Sequence, residues 1–172
     1  MNRIGLKFLL ITCLFLAVFT ASAADFTLAL IEPFFPGNSV EKIKSDKTIQ
    51  SDIFEDNGNQ KILKLKLKSA NPKLDIFLQT KDDKVTDLFV RLPQHLSHDS
   101  VLAELQKKYK KQESFSRKDR SALYKWMNKD GNNIIYNGIC SITCFPMFIE
   151  VVSTDKTVTP LSQKFNDATP KW

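Results

Sequence analysis

His95, His98 and Asp99 stand within one short segment, and the two imidazoles are the only ones in the chain. Two imidazoles and a carboxylate so close are the raw material of a metal pair or a general base. A metal site needs a third or fourth ligand, and no cysteine or second acid nearby in sequence supplies one. The plainer reading is a polar loop entering a helix, with Asp99 facing the positive end of the helix dipole. No metal and no cofactor is expected.

Other routes to catalysis are equally poorly furnished. The chain has no glycine-rich phosphate loop, no His-Glu-x-x-His and no Gly-x-Ser-x-Gly. A serine–histidine dyad would need a long-range approach to the one histidine loop. Cys140 and Cys144 are separated by Ser-Ile-Thr. In an oxidising compartment so close a pair reads as a disulfide fixing a hairpin tip, not as a nucleophile or a zinc pair. The adjacent acids Glu55-Asp56 and Asp82-Asp83 lie in turn sequence, where a solvated carboxylate is the ordinary outcome. The expectation is a protein that binds and does not catalyse; a small hydrolase working through His95 or His98 is the third choice.

Two groups of residues are suited to binding. Lys64, Lys66 and Lys68 alternate with Leu63, Leu65 and Leu67, so the lysines share the outward face of a strand. If that face aligns with Phe77, Phe89 and Arg91, it forms a basic-aromatic surface for an anionic polymer such as a cell-wall glycan. Lysine on an exposed strand is also a plain solubility device. The second group is Tyr124, Trp126, Tyr136 and Phe148. Strand pairing could bring all four to one face, with Leu123, Met127, Ile135, Met147, Ile149 and Val151 on the other. Exposed, such a cluster is a protein-binding hot spot; buried, it is the core under a helix.

The elements that must position these residues fall in two similar stretches. In Gly37–Leu92, a short helical turn capped by Asn38 or Ser39 and running to about Lys44 precedes strands at 48–55, 61–68, 74–79 and 85–92. Asn57-Gly58 marks a type I′ hairpin between the first two strands. The second stretch, Leu96–Val152, opens on a helix expected over Ser97–Lys111. Ser97 is its N-cap, Leu96 and Val101 its hydrophobic staple, and Val101, Leu102, Leu105 and Tyr109 its buried stripe. A polar connection at 112–120 follows, then strands at 122–127, 133–139 and 147–152, with Asp130-Gly131 as a hairpin turn.

Arg3 and Lys7 precede an apolar run, Phe8–Phe19, and Ala21-Ser22-Ala23 is a small-x-small cleavage site. Residues 1–23 therefore read as a secretory signal, with no integral membrane segment after it. They carry two basic side chains and no acid, so the chain's net charge of +6 falls to +4 beyond them. That mild excess is no nucleic-acid footprint. Residues 24–95 and 96–153 are the two units, the first with a strand or an extended lead-in at 24–31, and 154–172 is a polar tail. A periplasmic or secreted location follows.

The second unit, with Leu96-Ser97-His98-Asp99-Ser100-Val101, then Leu105, Tyr124-Lys125-Trp126 and Asp130-Gly131, resembles one repeat of the β-lactamase-inhibitor-protein-like fold. That group includes small outer-membrane-assembly lipoproteins of the SmpA/OmlA type. The resemblance implies an α+β protein of two α-β-β-β units, its antiparallel sheet carrying the helices on one face. It also implies a protein partner in the envelope or outside the cell, with the chain acting as an inhibitor or assembly factor.

Overall fold

The computed structural model describes residues 26–68, 70, 73–118, 121–138, 147–155 and 159–165. Eight strands form one antiparallel sheet: β1 (Ile49–Asn57), β2 (Gln60–Leu67), β3 (Asp75–Lys81), β4 (Lys84–Arg91), β5 (Ser114–Lys118), β6 (Ser121–Lys129), β7 (Asn132–Gly138) and β8 (Phe148–Ser153). Their spatial order is β1-β2-β3-β4-β8-β7-β6-β5. Each half is a helix followed by a four-strand meander, and the last strands of the two meanders pair at the centre. By position within each half the order is palindromic. The fold is α+β, and each half carries a fourth strand beyond the α-β-β-β order. In the second half that strand is β5, within the stretch expected as a polar connection.

Both unit helices, α1 (Val40–Ser45) and α2 (His98–Tyr109), pack on one face of the sheet. This inner face is apolar by strict alternation: Leu63 and Leu65, Ile76 and Leu78, Leu88 and Val90, Ile149 and Val151. Val40 and Ile43 from α1, and Val101, Leu105 and Tyr109 from α2, close over it. The lead-in is not a strand. Leu28–Leu30 and Glu32–Phe34 are two 3-10 turns whose Leu28 and Phe34, with Ile31 between them, are buried in the same core.

The turns follow their residues. Asp82 and Asp83 both adopt positive φ, 48° and 57°, and Asp130-Gly131 does the same at 52° and 78°, the requirement of a type I′ hairpin. In the first hairpin Asn57 pairs with Gln60, so the central residues are Gly58 and Asn59. Of those two only Gly58 has positive φ (76°), which suits a type II′ turn and not the expected I′. Helix α2 starts after Ser97, yet the Ser97 hydroxyl makes no capping hydrogen bond.

The outer face differs between the centre and the edges. Here β4 and β8 carry Phe89 and Phe148, and a third helix, α3 (Leu161–Lys164), lies over them with Leu161 buried. Phe165 packs against the same cluster. Residues 159–165 of the expected polar tail are thus part of the fold. Among the described residues, no helix is long and apolar enough to cross a membrane.

Candidate functional site

The aromatic group does not form an exposed hot spot. Tyr124 is 7% exposed, Trp126 and Tyr136 0%, and Phe148 1%. Tyr136 pairs with Ile149, and Trp126 with Ile134, which in turn pairs with Val151. That register puts Tyr124, Trp126 and Tyr136 on the inner face with Ile149 and Val151, under α2. Phe148 pairs with Asn137 and Arg91, and so lies on the opposite face. Of the two readings, Tyr124, Trp126 and Tyr136 follow the buried one; the expected common face is corrected for Phe148, which belongs to the outer cluster, and for Ile149 and Val151, which share the face of the other three.

His98, itself half-buried, meets the edge of that core. Its Nδ1 is 2.9 Å from the Tyr136 hydroxyl, its Nε2 is 3.3 Å from the Tyr124 hydroxyl, and its ring stacks on Tyr136 with centroids 5.5 Å apart. Burial lowers the His98 pKa, against a weaker opposing pull from Asp99. Burial raises the Tyr136 hydroxyl well above its usual range. Gly138 makes room for the stack, since a Cβ there would fall 2.3 Å from His98 Nδ1 and 2.7 Å from Tyr136 Cζ. A neutral imidazole held by two tyrosines is an anchor for the start of α2. His95 does not join it in any hydrogen bond or ring contact. Among the described residues, no three His, Cys, Asp or Glu side chains gather as a metal group. Cys140 and Cys144 lie outside the described residues.

The basic residues are divided. Lys64 pairs across the sheet with Phe77, and Phe77 with Phe89, the alignment that alternation predicts. Each charge has a local counterpart: Lys64 lies 3.7 Å from Asp75 and Lys66 lies 3.8 Å from Asp52, while Lys68 donates to the Lys47 carbonyl at 3.0 Å. The Arg91 guanidinium lies over the rings of Phe77 and Phe165, at 5.7 and 5.8 Å. These four do not form one unopposed basic patch.

The least ordinary chemistry lies where sequence reasoning placed none, on the outer face beneath α3. Asp87 and Glu150 are both 0% exposed. Glu150 pairs with Phe89, so the two acids are diagonal neighbours on β8 and β4. Asp87 Oδ2 accepts from the Leu161 amide at 2.5 Å, and Glu150 Oε1 accepts from the Ser162 amide at 2.7 Å. Their other oxygens, Asp87 Oδ1 and Glu150 Oε2, have no hydrogen-bonding partner among the described residues. Buried acceptors ordinarily have a donor, and these two oxygens stand out for that reason. Burial, and after it the Glu150 charge, pushes the Asp87 carboxyl well above the usual carboxylate range. Burial raises Glu150 too, opposed by hydrogen bonds from Ser162 and Asp87.

The signal for this pair was present in the sequence. Val85–Arg91 and Met147–Val152 carry large apolar residues at both parities, the mark of strands covered on both faces. An acid inside such a strand is a buried acid.

Two large apolar side chains are exposed together at the sheet edge: Ile53 is 59% and Phe54 58% exposed, on β1. Successive strand residues point to opposite faces, so they flank the edge that no other described strand pairs with. The ladder to β2 shifts register between Ile53 and Glu55, which places a bulge at Phe54. The Phe54 ring meets Phe77 and Phe165 edge-on, at 5.7 and 6.0 Å.

One cleft of about 410 Å³, lined by Gly37, Lys81, Asp82, Lys84, Thr86 and Asp155 among others, falls within the size range of ligand pockets. A cleft of about 140 Å³ is lined by Pro33, Phe34, Lys42, Ile43, Asp46 and Ile49 among others. That is small for a ligand pocket, for which roughly 300 Å³ is the lower range. Its one acid, Asp46, is engaged by Thr48 through the backbone amide at 2.8 Å and the hydroxyl at 2.6 Å. Comparisons with protein-family models, with curated proteins and with solved structures give no match to this chain.

Proposed function

We propose that the protein is an exported, non-catalytic module that binds another protein of the envelope or the extracellular space, and that it does so along the free edge of β1. The observation that carries this reading is the pair Ile53 and Phe54, more than half exposed on an edge strand. An edge strand offers unpaired N–H and C=O groups to an extended segment, and flanking apolar side chains add affinity. Export is supported by the charged start, apolar run and small-residue site of residues 1–23. The resemblance to β-lactamase-inhibitor-protein-like repeats favours the same class of function.

A glycan-binding role for Lys64, Lys66, Lys68 and Arg91 has less support, because acids or rings face three of these charges and a carbonyl the fourth. The experiment is site-specific photo-crosslinking in an envelope extract. A crosslinker replacing Ile53 should yield a defined adduct with a second protein, and one replacing Lys44 on α1 should not. The same products from both positions, or none from Ile53, would remove the edge from the proposal.

A further inference from the structure

We propose that Asp87 and Glu150 form a proton-operated latch, which holds residues 160–165 against the outer face of the sheet and lets them leave when both carboxyls ionise. The segment has little stability of its own. Helix α3 is four residues long, far below the length at which an isolated helix persists. It is held by its surroundings: the two N–H···carboxyl bonds at Leu161 and Ser162, and the contacts of Leu161 and Phe165. The Phe165 ring lies 4.9 Å from Phe77 and 5.4 Å from Phe89.

The latch depends on one proton. With it, the carboxyls bond to each other and both keep an oxygen for the helix amides. Without it, two like charges stand side by side in a site closed to water, and repulsion adds to desolvation. The other charged groups on this face do not relieve that state. Lys164 attracts Asp87 only weakly and lies 4.0 Å from Glu55; Arg91 rests on Phe77 and Phe165; Lys64 is drawn to Asp75. None of them donates to either acid. Leaving the sheet gives both acids water, and uncovers Phe77, Phe89 and Phe148.

The sign follows from proton counting. Docked, both acids have raised pKa values; released, they return toward the ordinary value of about 4. The docked state therefore binds more protons, and docking weakens as pH rises above the ordinary carboxylate range toward the raised values. Acid tightens the latch.

The test is amide hydrogen exchange by NMR on the full chain, from mildly acidic to alkaline pH, corrected for intrinsic exchange rates. Protection of the Leu161 and Ser162 amides should fall by up to about tenfold per pH unit, the slope of one proton, while the β4 and β8 amides stay protected. Asp87→Asn retains an acceptor for Leu161 and gives Glu150 a permanent N–H donor, so its protection should not change with pH. Glu150→Gln makes the same exchange from the other side, should Asp87→Asn fail to fold. A flat profile in the unmodified protein, the same slope in a folded variant, or simultaneous loss of protection at β4 and β8 would each overturn the latch.

Discussion

The indole Nε1 of Trp126 donates to the backbone carbonyl of Lys110 at 2.9 Å. This joins the middle of β6 to the residue that ends α2. Lys110 adopts a positive φ of 66°, an uncommon conformation for a residue with a Cβ. The bond fixes the end of α2 from below, and the fully buried ring fills the space beside it.

Trp126→Phe keeps an aromatic ring but removes the donor and leaves a cavity. The lost hydrogen bond should cost about 1–2 kcal/mol, and the missing ring volume adds to it. Trp126→Ala should cost about 3–5 kcal/mol. Urea unfolding followed by far-UV circular dichroism checks both through the midpoint. A midpoint unmoved in Trp126→Ala would deny the residue its place in the core.

Gly138→Ala tests how tightly the His98–Tyr136 stack is packed. The added methyl would collide with both rings, and overpacking of this kind costs about 1–3 kcal/mol. Replacing His98 by a smaller side chain in the same molecule should recover part of the loss, because the collision then has room to relax. The double-mutant comparison reads that interaction directly.

His98 also makes a prediction about acid. Its pKa is lowered in the folded protein, so the folded chain binds a proton less readily than the unfolded one. Its contribution to stability is present above the unfolded value, near 6.5, and is lost as pH falls from there through the lowered folded value. The Asp87–Glu150 pair pulls the opposite way, since its raised values favour the folded state in acid. Urea midpoints measured at neutral and mildly acidic pH should therefore separate the two. The fall on acidification should be smaller in His98→Gln than in the unmodified protein; an equal fall in both would remove the imidazole as its source.

Much of this architecture could be read from local pattern, and the errors have a common cause. The alternation of Lys64, Lys66 and Lys68 with three leucines predicts both the strand and its inward face, and Lys64 does meet Phe77 across the sheet. At 147–152 the pattern is silent, because Met147, Phe148, Ile149, Val151 and Val152 are apolar at both parities. Which of them faces the helices depends on the pairing of Tyr136 with Ile149, a contact that no local rule supplies. The same double-sided pattern marks Asp87 and Glu150 as buried acids, but their meeting is made by strands far apart in sequence. Strand β5 was obscured because Phe115 is the one apolar residue in Ser114–Lys118, so the segment looks like a loop. The docking of α3 was hidden for the opposite reason: Leu161 and Phe165, four apart, do stand at helical spacing, but their partners begin at Phe54 and Asp87.

Phe165 allows that docking to be tested without touching a titratable group. Its ring contacts Phe54, Phe77 and Phe89 and lies under the Arg91 guanidinium, while the residue itself is only half-buried. Phe165→Ala should thus cost less than a fully buried aromatic, about 1–3 kcal/mol of segment docking, set against about 3–5 for a core ring. Because α3 has few stabilising contacts of its own, the loss should fall on the segment and not on the sheet. Limited trypsin digestion should then cleave after Lys164 faster in Phe165→Ala than in the unmodified chain, and the urea midpoint of the sheet should move far less than in Trp126→Ala. Equal cleavage rates in both proteins would mean that the ring does not hold the segment, and would shift its attachment to Leu161, the two acids and the Lys164–Glu55 pair.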